Sequence, residues 1–187
     1  MWRKIIKNNY MKNLKEYIKE SILGDWNTVD SDGISERMEV EKFLKENYNG
    51  DFTISQKTNK NGKFEVSSKT TVIVKNKQLE RLTNDLFEFT ETVGGFYCEN
   101  CKSLTSLEGA PKEVGGEFSC DNCSSLKSLE GAPEKVGGYF NCCNCTNLTS
   151  LEGAPKEVGR DFYCYDCREF TKEDVEKVSK VNGKIII

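Results

Sequence analysis

The chain of 187 residues contains no histidine, only three prolines and no long apolar run. Histidine is the commonest general acid and base, so hydrolases of the Cys/His type are excluded. We identify no catalytic residues and predict that the protein is not an enzyme. No stretch approaches the roughly 18 consecutive apolar residues of a membrane span. The first ten residues are basic but precede no apolar segment with a cleavage site, so we expect no secretory signal and a cytoplasmic location.

Nine cysteines in a chain without an export signal indicate reduced thiols rather than disulfides.

Charge is divided unevenly along the sequence. Residues 1–90 carry 16 Lys and Arg against 14 Asp and Glu, whereas residues 91–187 carry 11 against 16. The second half is therefore acidic and lacks the basic footprint that is typical of nucleic-acid-binding surfaces.

A 22-residue repeat dominates the sequence from about Phe96 onward. The same sequence motif begins at Cys98, at Cys120 and at Cys142, and a fourth copy begins at Phe162. The apolar positions of the second copy are Phe118, Cys120, Cys123, Leu126, Leu129 and Val136. A unit this short cannot bury its own apolar edge. The units must therefore stack, and each strand pairs in parallel with its copy about 4.8 Å away.

The spacing Phe118-x-Cys120-x-x-Cys123-x-x-Leu126 resembles the leucine-rich repeat register, with cysteine where many members carry asparagine. We therefore predict an α+β fold: a leucine-rich-repeat-like solenoid with a parallel β ladder, capped by N-terminal helices and a few strands. The predicted parts are an N-terminal helical segment (1–50), strands that cap the solenoid (51–92), and repeats with a C-terminal capping unit (93–187).

The repeated phrase Leu-Thr-Ser-Leu-Glu-Gly-Ala-Pro-Lys-Glu-Val-Gly-Gly, which begins at Leu104, carries a closer resemblance. It is similar to the repeat of a largely uncharacterised set of proteins encoded by bacteriophages and bacterial mobile elements, over roughly residues 50–187. The resemblance implies the solenoid fold and brings no catalytic or binding residues. It suggests a small protein-binding inhibitor of a host system, with anti-defence and specifically anti-CRISPR activity as the expectation. The partner would be a host protein or ribonucleoprotein complex.

Two helices are predicted before the repeats. Apolar residues at helical spacing between Trp2 and Ile18 alternate with basic ones, and Gly24 ends that segment. A second helix is predicted from about Ser35 to Tyr48, with Met38, Phe43, Leu44 and Tyr48 facing inward. We expect the helices to cap the first coil. Docking of the basic first helix on a partner is the alternative, and a membrane-surface role is a third.

Between these helices, Asp30, Asp32, Gly33 and Glu39 occupy positions three, five, six and twelve of a calcium-loop pattern. The first and eighth positions, Thr28 and Ser35, depart from that pattern. A polar turn that leads into a helix N-terminus explains the same residues, and we favour it.

The paired cysteines allow three interpretations: zinc ligands, redox-active thiols and ladders of buried thiols. Cys98-x-x-Cys101 followed by Cys120-x-x-Cys123 has zinc-site spacing, and the next two pairs would make a second site. The alternative function is therefore a zinc-ribbon nucleic-acid binder; a structural phage component is a further one. Because every pair lies in the same repeat register, we favour ladders of buried thiols, without metal or cofactor.

Alternation along the strand places one set of residues on its outward face, which we call the strand face. Its predicted partner-binding residues are Tyr97, Glu99, Glu117, Asp121, Tyr139, Asn141, Asp161, Tyr163 and Tyr165. Tyrosine supplies rigid contact area and carboxylates attract basic partners, so this face is expected to bind Lys- or Arg-bearing protein. Cys143 lies at an outward position and is expected to be the accessible thiol.

Overall fold

The computed structural model describes residues 31–187, and the basic helix expected between Trp2 and Ile18 lies outside the described residues. Helix α1 spans Ser31–Asn47, one turn earlier in its start than expected. Val40 and Leu44 of this helix are buried, whereas Met38 and Phe43 are half-buried. A second helix, α2, spans Lys172–Val178.

Residues 32–39 lie within the continuous helix α1, which contradicts the calcium-loop pattern. A calcium loop wraps its ligands around the ion in a non-helical path, whereas the backbone of this segment is a continuous helix. The two acidic positions Asp32 and Glu39 therefore belong to a helical element. Asp30 lies outside the described residues.

Short strands form two seven-stranded sheets, and from β3 onward successive strands alternate between them. In chain order they are β1 (Tyr48–Asn49), β2 (Phe52–Ile54), β3 (Phe64–Ser68), β4 (Val72–Val74), β5 (Phe87–Thr92), β6 (Phe96–Tyr97), β7 (Glu113–Val114), β8 (Phe118–Ser119), β9 (Lys135–Val136), β10 (Phe140–Asn141), β11 (Glu157–Val158), β12 (Phe162–Tyr163), β13 (Lys180–Val181) and β14 (Ile185–Ile186). The front sheet has the order β1-β4-β6-β8-β10-β12-β14 and the rear sheet β13-β11-β9-β7-β5-β3-β2.

Parallel pairing makes the stack a solenoid, as the repeat predicted. Phe118 is aligned with Phe96 on one side and with Phe140 on the other. Among the strand pairings described for residues 31–187, β1–β4 and β2–β3 are antiparallel and the others are parallel. Strands β4 and β5 pair in parallel with the first repeat, so residues 51–92 contribute whole turns of the solenoid.

The rear ladder was not predicted from the sequence. Val114, Val136 and Val158 supply its buried positions, one per turn, and each follows a charged residue that faces outward. A two-residue strand with a single apolar position is too short to show alternation. The solenoid therefore has two sheets where one ladder was expected.

Identical side chains stack inside the solenoid. The Phe96 and Phe118 rings are 5.8 Å apart and nearly parallel, and the Phe118 and Phe140 rings are 5.5 Å apart. The repeat leucines and both cysteines of the first three pairs are buried alongside these rings. The units share one continuous hydrophobic core that none of them could form alone.

Each repeat contains two tight backbone turns that require unusual dihedral angles. The residue before the second cysteine of each pair has a positive φ of 53° to 58°, at Asn100, Asn122, Asn144 and Asp166. Asn and Asp tolerate this left-handed region better than most residues. In the Glu-Gly-Ala-Pro segment, Gly131 has φ +87°, and an added Cβ would lie 2.3 Å from the backbone nitrogen of Glu108. Only glycine permits this approach of successive turns.

The residues after Arg168 form the last turn of the stack in the described chain. Thr171 caps α2: its hydroxyl accepts from the Asp174 N–H, and the Asp174 carboxylate accepts from the Thr171 N–H. Strands β13 and β14 then continue both sheets in parallel.

Candidate functional site

The outward positions of the front sheet form three columns across four successive turns. The columns are Gly95, Glu117, Tyr139 and Asp161; Tyr97, Ser119, Asn141 and Tyr163; and Glu99, Asp121, Cys143 and Tyr165. These twelve positions carry four carboxylates, four tyrosines and no basic residue. The structure thus places all nine predicted site residues on one face, at one-turn intervals.

Hydrogen bonds tie the tyrosines of this face to its carboxylates. The Tyr97 hydroxyl donates to Oε2 of Glu117 at 3.2 Å, across one turn of the solenoid. The Tyr163 hydroxyl donates to Oδ2 of Asp161 at 3.1 Å. Burial and hydrogen bonds to Tyr139 and Glu117 raise the pKa of Tyr97 above its ordinary value. The phenols therefore remain protonated donors at neutral pH.

Asp161 is held from both sides. Its Oδ1 accepts from the backbone N–H of Lys184 at 2.7 Å, while Tyr163 donates to Oδ2. The backbone donor and the phenol lower the pKa of Asp161, so the carboxylate remains ionised. Asp161 thus fixes Tyr163 and joins the last repeat to the turn that follows.

The carboxylates of the third column differ in their partners. Oδ1 of Asp121 accepts from Nδ2 of Asn144 at 2.9 Å, one turn away. Within residues 31–187, no hydrogen bond or ion pair engages the carboxylate of Glu99. Its backbone oxygen instead accepts from Nζ of Lys77 at 2.8 Å. Glu99 is therefore the acid on this face that is best placed to meet an external cation.

The prediction that Cys143 is accessible is wrong. Its side chain is 0% exposed, because the next turn places the larger Tyr165, 42% exposed, in the same column. Burial raises the pKa of Cys143 to about 12, so the thiol is neutral at physiological pH. Ser119 is likewise 0% exposed between the longer side chains of Tyr97 and Asn141. Sequence alternation identifies the face of a residue but not the neighbour that covers it.

The core cysteines form ladders, as predicted. The Cys123 thiol donates to the carbonyl of Cys98 at 3.0 Å, and the Cys145 thiol donates to that of Cys120 at 3.3 Å. Burial and a hydrogen bond to Cys164 raise the pKa of Cys142. All nine thiols are free, and Cys167 alone is half-buried. In the described part of the chain, no cluster of three or more potential ligands is arranged to hold a metal ion.

Two cavities of the described residues, of about 480 and 660 Å³, lie near α1 and near α2 respectively, and neither of these two is lined by a residue of the strand face. The strand face itself is an extended set of outward side chains that crosses successive turns of the front sheet.

These features define the class of protein as a short, two-sided β-solenoid that presents an acidic and aromatic sheet face. Comparison with protein-family models, curated proteins and solved structures gave no match. In residues 31–187, neither helix has the length and apolar character that a membrane crossing requires.

Proposed function

We propose that this protein is a non-enzymatic binding module whose strand face docks on a basic surface of another protein. The observation that carries the proposal is the set of four carboxylates and four tyrosines at the twelve outward positions of four successive turns, none of which is basic; Lys184 follows Asp161 in the next turn. Such a face attracts Lys- and Arg-bearing partners, and rigid tyrosines supply contact area at low entropic cost.

The hydrogen bonds within the face support this proposal. Glu117, Asp121 and Asp161 are each held by a donor from this chain. A face whose side chains are already ordered loses less conformational entropy on binding. Glu99 supplies charge that the chain itself does not engage within its described residues.

The resemblance of the repeats to phage and mobile-element proteins extends the proposal to the biological role. We infer a cytoplasmic inhibitor of a host system, with an anti-defence target such as a CRISPR nuclease or its ribonucleoprotein complex. The free thiols accord with a reducing compartment. The zinc-ribbon alternative is not adopted, because ladders of thiols leave no pair of cysteine knuckles facing each other around a metal.

The test is a tagged pull-down from nuclease-treated lysate of a low-GC bacterial host, with three baits. The wild type is compared with Glu99→Lys/Glu117→Lys on the strand face and with the charge-matched Glu108→Lys/Glu130→Lys on the exposed turn between the two sheets. We expect a stoichiometric host protein to be captured by the wild type and the turn variant and lost with the strand-face variant. Equal capture by all three baits would overturn the assignment of the face. Recovery of nucleic acid alone, from untreated lysate, would overturn protein binding.

A further inference from the structure

One edge of the strand face carries aromatic rings and carboxylates in alternation. The ring of Tyr97 lies over Gly95, where an added Cβ would be 2.6 Å from its Cε2. The same column continues with Glu117, Tyr139 and Asp161 at one-turn intervals of about 4.8 Å. We call this the Tyr/acid stripe, and it includes Tyr163, whose ring meets that of Tyr139 edge-on at 5.8 Å.

Two of the three hydroxyl groups of the stripe are already used: Tyr97 donates to Glu117, and Tyr163 donates to Asp161. An arriving partner therefore meets the half-buried rings, the Tyr139 hydroxyl and the remaining carboxylate lone pairs, with Lys184 beside Asp161 at the end of the stripe. Oε2 of Glu117 is engaged by Tyr97, which leaves Oε1 for an external donor. The face of an aromatic ring attracts cations within about 6 Å, and a neighbouring carboxylate strengthens that attraction.

We propose that the Tyr/acid stripe selects arginine over lysine, so that an arginine-bearing segment of the partner is what docks here. This inference rests on the proposed function. A planar guanidinium stacks on a tyrosine ring while one of its five donors reaches a carboxylate in the neighbouring turn. An ammonium is a compact and strongly hydrated point charge, so it loses more hydration and gains less ring contact at the same place.

The experiment uses the full chain and two fluorescein-labelled probes, nine-residue oligo-arginine and nine-residue oligo-lysine, in anisotropy titrations at 150 mM salt. We expect the oligo-arginine probe to bind at least about fivefold more tightly, from the two or more rings it can cover. Tyr139→Leu/Tyr163→Leu should reduce the ratio of the two affinities to near one. Tyr139→Phe/Tyr163→Phe keeps the rings and should keep most of the preference.

A matched control removes charge elsewhere. Glu108, Glu130 and Glu152 form an exposed column on the turn between the two sheets, and their triple change to Gln should leave the arginine preference intact. Circular dichroism checks that every variant is folded, and the single Tyr139→Leu replaces the double variant if that one unfolds. Equal affinity of the two probes would overturn arginine selection. It would not overturn docking of a basic partner, because the pull-down from lysate tests that proposal separately. The assignment to the stripe would be overturned if the Gln triple variant lost the arginine preference while the Tyr139→Leu/Tyr163→Leu variant kept it. It would also be overturned if the oligo-arginine probe did not bind the wild type.

Discussion

Asparagine at the left-handed position of each Cys-x-Asn-Cys turn has a conformational role and a bonding role. Nδ2 of Asn122 donates to Oδ1 of Asn100 at 2.7 Å, so this amide joins two successive turns outside the thiols. Sequence reasoning followed the cysteines of these turns and missed the asparagine between them. Its recurrence at one position was the available signal, because Asn tolerates φ near +57°.

Changing Asn122 separates the two roles. We expect Asn122→Ala to lower the free energy of unfolding by about 1–2 kcal/mol, because alanine is strained in the left-handed region. Asn122→Gly removes the hydrogen bond to Asn100 but keeps a residue that adopts the left-handed conformation readily, so its cost should be smaller. Urea unfolding monitored by circular dichroism gives both values. A glycine variant less stable than the alanine variant would contradict this explanation of the turn.

Cys167 is expected to be the one fast-reacting thiol of the chain. It is half-buried while the other eight cysteines are buried. Its thiol donates to the carbonyl oxygen of Cys142 at 3.0 Å, as the core thiols do in the turns before it. Because access of the reagent limits the reaction of buried thiols, iodoacetamide should label Cys167 in the folded protein well before the other cysteines. Peptide mapping by mass spectrometry locates the label; a fast phase that persists in Cys167→Ser would contradict the assignment.

On the rear side, two neighbouring columns carry charges that alternate from turn to turn. One column reads Lys112, Glu134, Lys156, and the other reads Glu113, Lys135, Glu157, because the second repeat reverses the Lys-Glu order. Nζ of Lys156 is 2.8 Å from Oε2 of Glu134, and this lysine lowers the pKa of that carboxyl. The reversal places opposite charges beside each other in both columns, and it penalises a slip of register between turns.

A composition-neutral swap tests this alternation. Glu134→Lys/Lys135→Glu keeps the net charge but makes one column all lysine and the other all glutamate. We expect a lower urea midpoint at 20 mM salt and a smaller deficit at 1 M, where screening weakens the repulsion. The same swap made in all three repeats restores alternation and should recover most of the midpoint. A deficit that does not depend on salt would show that the charges are not its cause.

Elements of the two sheets differed in how far the sequence predicted them. Phe118 and Cys120 show strand alternation, and their exact recurrence indicated a parallel front ladder, which the structure confirms. The rear strands offer Val136 alone between a charged residue and a glycine, so no pattern identified them. On the strand face, the columns were predictable, but the burial of Cys143 depends on the reach of Tyr165 and could not be read from alternation.

At the scale of the whole molecule, stability comes from contacts between successive turns. Phe, Leu, Val and Cys columns run through the stack, and the backbone of each turn bonds to the next, as in Cys120 N–H to Asn141 oxygen at 2.8 Å. A stacked array of this kind has no separate core per repeat. The thiols fill part of that shared core and donate to carbonyl groups in the preceding turn.

The thiol ladders lead to a prediction that separates this architecture from a metal-stabilised one. In a zinc domain the metal supplies much of the folding free energy, so a chelator unfolds it. Here the sulfur atoms already pack in the core and donate to backbone oxygens, as Cys123 does to Cys98. We therefore expect protein that is purified without chelator and then treated with a strong zinc chelator in the presence of reductant to keep its thermal midpoint within about 2 °C. Elemental analysis of the untreated sample is the companion measurement. About two zinc ions per chain, together with loss of the folded circular dichroism signal after chelation, would show that the cysteine pairs hold metal and that the ladders are not the native arrangement.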